Sequence, residues 1–157
     1  MWLKYAIIKN RNITLLILVK NYMRALEIYG PLTGRILLSL IFILSGFAKV
    51  TNFTGSVQFA ATGVGESLAT LAIIVAIAVE LGGGLMLLFG FKIRWAALAV
   101  AGYTLLAALL YHFDFANQAQ MTNFMKNLAI AGGLLFVAIY GAGPFSVDSK
   151  RKTVPIE

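Results

Sequence analysis

"AIAVELGGGLMLLFG", residues 76–90, places a single ionisable side chain, Glu80, in an otherwise apolar run. Whether that run sits in water or in lipid decides the fold. The 157-residue chain is 60% hydrophobic and only 12% charged, with a mean hydropathy of +0.86. A soluble domain has about 45–50% apolar and about 25% charged residues, so these proportions indicate a membrane protein.

Crossing a hydrocarbon core of ~30 Å takes about 20 helical residues at ~1.5 Å each. Four stretches reach that length: 32–52, 67–90, 94–112 and 122–141, with Gly, Pro, Asn or charge at nearly every boundary. They lack the alternation of barrel strands, and unpaired backbone groups are not tolerated in lipid, so each is read as a helix. The expected fold is all-α, an integral membrane four-helix transmembrane bundle in one domain over 31–148, without internal repeats. A basic segment, 1–30, precedes it and a short basic tail, 149–157, follows.

Lys and Arg are distributed on alternate sides of the spans. Lys4, Lys9, Arg11, Lys20, Arg24 and Arg35 precede or open the first span, Lys92 and Arg94 lie between spans two and three, and Lys150, Arg151 and Lys152 follow span four. The loops 53–66 and 113–121 contain neither residue type. The positive-inside bias then puts both termini in the cytoplasm. The net charge of +7 is accounted for by topology, and nucleic acid is not an expected partner. Within 1–30, "ITLLILV" (13–19) is too short to span. It reads either as part of a basic interfacial helix on anionic lipid or as an upstream extension ahead of a start at Met23.

The absence of Cys excludes disulfides, thiolate metal sites and iron–sulfur clusters, and a lone His excludes paired-His haem ligation within the chain. "GVGESL" (63–68) is a poor match to a dinucleotide fingerprint. A redox cofactor would therefore be a diffusible quinone or belong to a partner. His112 and Asp114 in "YHFDF" could contribute two metal ligands, but no third is in view, so no metal site is assigned. His112 reads as an interfacial residue or as a proton-exchanging group at the outer surface.

An ionisable residue within a span marks a candidate site, because its burial is costly. Ala76, Gly83 and Gly84 share the face of Glu80 and allow a neighbouring helix to approach closely, which points the carboxylate into the bundle. Arg35, Ser39, Phe42, Gly46 and Lys49 form one stripe on span one. Asn123, Lys126, Asn127, Ile130 and Gly133 form another on span four. The expected intramembrane polar cluster is Glu80 with Ser45, Lys49, Lys126, Asn127, His112 and Arg35. Glu80 lies near mid-membrane, whereas Lys49 and Lys126 are close enough to the outer surface to extend towards it. A direct contact of Glu80 with Lys126, a chain of waters and a purely structural tie between helices all stay open.

These residues resemble a known family. "GRILLSLIFILSGFAKV" (34–50), "VELGGGLMLLFG" (79–90), "RWAALAVAG" (94–102) and "HFDFANQAQMTNFMKNLAIAGGLLFVAIYGAGPFSVD" (112–148) are similar to the bacterial DoxX family of small four-helix inner-membrane proteins. The likeness covers about 34–148 and leaves 1–22 outside it; 51–66 lacks the Pro expected near its end. Arg35, Lys49, Glu80, His112, Lys126 and Asn127 carry over as motif positions. The resemblance implies a bacterial inner-membrane location and a subunit of a quinone-linked redox assembly with a redox partner protein. A scaffolding subunit and a small proton or solute transporter are the alternatives, and a homo-oligomer is compatible with each. No catalytic motif is self-contained, so enzyme activity by this chain alone is left undecided.

Overall fold

The computed structural model describes residues 2–151, with side chains from 15 to 150. The described residues are almost wholly helical. Helix α1 runs Trp2–Thr51, α2 Phe53–Val64 and α3 Glu66–Ile77. A π-helical turn, Ala78–Gly83, joins α3 to α4, Gly84–Phe89. Helices α5 (Ile93–Tyr111), α6 (Gln118–Tyr140) and the short α7 (Val147–Arg151) complete the chain. Among the described residues, four helices are long and apolar enough to cross a membrane: Leu15–Thr51, Glu66–Phe89, Ile93–Tyr111 and Gln118–Tyr140. The expected spans agree with these to within a few residues, except that the first extends far towards the N-terminus.

That extension makes α1 50 residues long, about 75 Å at 1.5 Å per residue. Residues 2–30 are thus the leading part of α1, which contains Pro31, and Leu15 through Val19 are all exposed. The tail beyond residue 151 lies outside the described residues.

The main difference from the sequence reading lies in 53–66, expected as a loop. It forms α2, started by Asn52, whose side chain accepts the Gly55 N–H at 3.3 Å. Val57, Ala60 and Ala61 pack on Ala69, Ile73 and Ile77. The turn into α3 is made by Gly65 at φ 80, a conformation that costs Gly little and other residues more. Gly65, at positive φ, makes the entry to α3 without a Pro. Between α5 and α6, the Asn117 side chain accepts N–H groups of Ala119 (2.9 Å) and Gln120 (3.3 Å).

Small residues set the helix spacing. A Cβ on Gly46 would lie 2.8 Å from Leu81 Cγ, and one on Gly84 2.9 Å from Ile43 Cγ1. Helix α1 therefore lies backbone-close to the second span, as expected for association in lipid. The dry core joins Phe42, Leu87, Ile93, Ala97, Val100, Leu134 and Ala138. It occupies the half of the bundle nearer the 90–93 turn. The other half, at the end where α2 lies, holds Ser45, Lys49, Glu80 and Tyr103 between apolar walls.

Candidate functional site

Glu80 sits in the middle of the π-helical turn and is 4% exposed. Such turns insert extra backbone into an α-helix and often occur at functional sites. The Lys49 ammonium reaches it from α1, donating to Oε1 at 2.9 Å and Oε2 at 2.8 Å, and its third donor goes to Ser45 Oγ at 2.8 Å. Tyr103 on α5 donates its hydroxyl to Oε1 at 2.7 Å. Three spans thus converge on one carboxylate.

The bonds can be counted. Lys49 uses all three donors, Oε1 accepts twice and Oε2 once. A carboxylate oxygen has two lone pairs and a hydroxyl keeps one proton to donate. Glu80 Oε2 therefore retains an acceptor site, and Ser45, which accepts from Lys49, retains a donor.

This cluster lies at the inner end of a cavity of about 390 Å³. Ser45, Lys49, Glu80, Tyr103 and Thr104 line its depth, Ile41, Phe42, Ile73, Leu106 and Ile130 its apolar walls, and Tyr111, His112, Lys126 and Asn127 its outer part. Phe59, Ala60 and Val64 of α2 close one side, where Phe59 stacks on Tyr111 with ring centroids 5.3 Å apart.

Most of the sequence-derived residues meet here. Ser45, Lys49 and Glu80 are in direct contact, and Lys126, Asn127 and His112 share the cavity wall. Lys126 is exposed and donates to Asn123 Oδ1 at 2.9 Å, so the partner of Glu80 is Lys49, turned inward. His112 Nδ1 pairs with Gln120 Oε1 at 2.7 Å, while Asp114 accepts from the N–H of Ala116 at 3.2 Å. Tyr103 was missed. Its signal was present, since Ala96, Val100, Tyr103 and Ala107 recur at intervals of four, three and four on a largely small-residue face.

Arg35 belongs elsewhere. It lies on the inward stripe of α1 as expected, 1% exposed, but at the opposite end of the bundle. Its Nη2 donates to the Phe145 carbonyl at 2.6 Å, and Nε and Nη1 have no hydrogen-bond partner among the described residues. Gly90, left-handed at φ 65, lies against the guanidinium, leaving no room for a Cβ. Asp148 accepts the N–H groups of Lys92 (2.8 Å) and Ile93 (2.9 Å) and donates its own to Gly90 O at 3.0 Å. This arrangement fastens the C-terminal segment over the turn between α4 and α5. It is a structural clasp, separate from the Glu80 cluster.

Comparison with known proteins agrees with this architecture. Residues 30–113 match the family model described as DoxX. The chain is 45% identical over 127 residues to the inner membrane protein YqjF of Escherichia coli (strain K12), covering 80% of this chain and 95% of that protein. It is 38% identical over 124 residues to the inner membrane protein YphA of the same organism, covering 76% and 88%. No solved structure matches. With the family model matching more than half of its length and relatives covered almost end to end, the chain belongs to the DoxX family of integral membrane proteins.

Proposed function

We propose that this protein is a bacterial inner-membrane subunit of a redox assembly and that its cavity docks the head of a quinone. The observation that supports this reading is the donor and acceptor left over at the cavity floor, the Ser45 hydroxyl proton and the free lone pair of Glu80 Oε2, beneath apolar walls. A quinone carbonyl accepts one hydrogen bond and a quinol hydroxyl donates one, so both oxidation states find a partner on the same two residues. The volume falls in the range of small-molecule sites, about 300–1,000 Å³. A bound quinone would supply two-electron, two-proton chemistry. The chain supplies the hydrogen bonds, walls one side of the cavity with α2 and holds a proton acceptor at Glu80. The electrons come from a partner redox protein.

Both relatives carry the description inner membrane protein, and the Lys and Arg pattern puts both termini in the cytoplasm. The α2 end then faces outward.

The test is quinone retention. Purified from native membranes in mild detergent, the wild-type protein should retain extractable quinone together with a co-purifying oxidoreductase. Ser45→Ala should bind added quinone, and Glu80→Gln added quinol, about tenfold more weakly than wild type, the effect of one hydrogen bond worth about 1.4 kcal/mol. Leu109→Ala, on an exposed position of α5, should match wild type. Equal quinone and quinol binding by all four proteins, or none by any of them, would leave a scaffolding role as the better account.

A further inference from the structure

The two halves of the bundle are unlike in a way that gives the site a side. From Glu80 towards α2, every spanning helix lines the cavity with at least one polar group. Helix α1 offers Ser45 and Lys49, the second span Glu80, α5 Tyr103, Thr104 and Tyr111 with His112 just beyond its end, and α6 Lys126 and Asn127. Helix α2 adds only Phe59, Ala60 and Val64. From Glu80 towards the 90–93 turn, Leu87, Ala97, Val100 and Leu134 are each 0% exposed, packed in one apolar cluster with Phe42. Beyond that seal the first titratable group on α1 is Arg35, fixed to the Phe145 carbonyl.

We infer that the cavity is a one-sided aqueous vestibule through which Glu80 exchanges protons with the membrane face at which α2 lies, and with that face alone. Water enters a cavity that is roomy and offers several polar partners. At ~30 Å³ per water, 390 Å³ holds on the order of ten. In the sealed half the buried Ser39 hydroxyl already donates to the Ile36 carbonyl at 2.9 Å, the surrounding cluster is apolar, and an unpaired polar molecule there would cost several kcal/mol. The Lys49 side chain is 23% exposed and that of Glu80 6%, so the ion pair itself marks the boundary between the wet half and the dry one. His112, hydrogen-bonded through Nδ1 to Gln120 Oε1 at 2.7 Å, stands at the outer part of the cavity. A proton released at Glu80 leaves by the waters to that face, and a proton taken up arrives by the same path.

This rests on the reading of Glu80 as the reactive group of the cavity but not on quinone as its ligand. The absence of Cys from the chain allows a direct test by single substitutions. Ala107→Cys and Asn127→Cys place thiols on the cavity wall, Leu109→Cys places one on an exposed lipid-level position, and Ala116→Cys, exposed in the turn before α6, identifies the α2 face. Each is reacted in sealed vesicles of both orientations with a sulfonate-bearing, membrane-impermeant methanethiosulfonate. Only a hydrated thiolate reacts, so the two cavity positions should label at least about tenfold faster from the face that labels Ala116→Cys than from the other. Leu109→Cys should stay unlabelled from both. Equal rates from the two faces, or silence at both cavity positions while Ala116→Cys labels, overturns the inference. Measuring quinone binding on the same samples separates the two readings. One-sided labelling without quinone binding removes the ligand and keeps the vestibule, and quinone binding without labelling does the reverse.

Discussion

Glu80 is held within the bundle by an ammonium and a phenol that reach it from two other helices. Removing one member of a buried pair costs about 3–5 kcal/mol, since the survivor keeps its desolvation penalty without its partner. Lys49 is partly exposed, so losses below that range are expected here. Glu80→Leu and Lys49→Met should each lower the thermal midpoint in detergent, and the double variant should lose clearly less than the sum of the two. Additive losses would show that the pair is not coupled. Tyr103→Phe removes one bond to a charged group and should cost about 1.5–3 kcal/mol or less, with the fold intact. At this scale the sequence revealed the acid and the stripe of α1. It did not reveal the pairing, because whether Lys49 extends to the surface or turns inward depends on where the second span crosses α1, and Gly46 and Gly84 set that crossing.

The π-helical turn presents Glu80 where a regular helix would not. It needs one more residue than an α-turn, and the run Gly82, Gly83, Gly84 supplies backbone with no side chains to crowd it. Deleting Gly82 should let α3 continue directly into α4 with the faces of both helices kept in phase. The bundle should still insert, whereas the labelling of Ala107→Cys and the binding of quinone should change, because the carboxylate is displaced from Lys49 and Tyr103. Unchanged behaviour of that deletion would show the turn to be incidental. The clasp at the other end predicts a different outcome. Asp148→Ala frees the first N–H groups of α5 and should cost about 0.5–2 kcal/mol, as loss of a helix cap does. Seen as a lower thermal midpoint, that loss should leave quinone binding untouched, since the Glu80 cluster lies at the far end. Hydrophobic runs and boundary residues made the spanning helices legible. Helix α2 was hidden because its short sequence, with Gly55, Gly63 and interspersed Ser and Thr, also fits a loop, and only the packing of Val57 and Ala60 on Ala69 and Ile73 makes it a helix.

For the whole molecule, the charge pattern and the polar half of the bundle make one joint prediction. Reporters fused after residue 152 or within 91–94 should read as cytoplasmic, and those within 53–66 or 113–121 as external. The vestibule then opens outward. A C-terminal reporter on the external face would reverse both the orientation and the side from which Glu80 exchanges protons. Deleting residues 1–22 should leave the bundle inserted and quinone binding intact, as α1 from Arg35 onward carries all of its cavity and clasp residues. Loss of insertion on that deletion would assign the extension a structural role.

Composition and the spacing of apolar residues determined the four-helix membrane architecture, since in lipid the backbone must pair within each segment and few solutions exist. The same physics singled out Glu80, because a lone acid in such a run has to face inward. Tertiary structure alone decided which lysine meets it, that Tyr103 completes the site, that α2 covers it and that Arg35 serves the opposite end. Those outcomes depend on helix crossing and on a local change of helical pitch. They involve atoms distant in sequence, whose approach no one-dimensional pattern records.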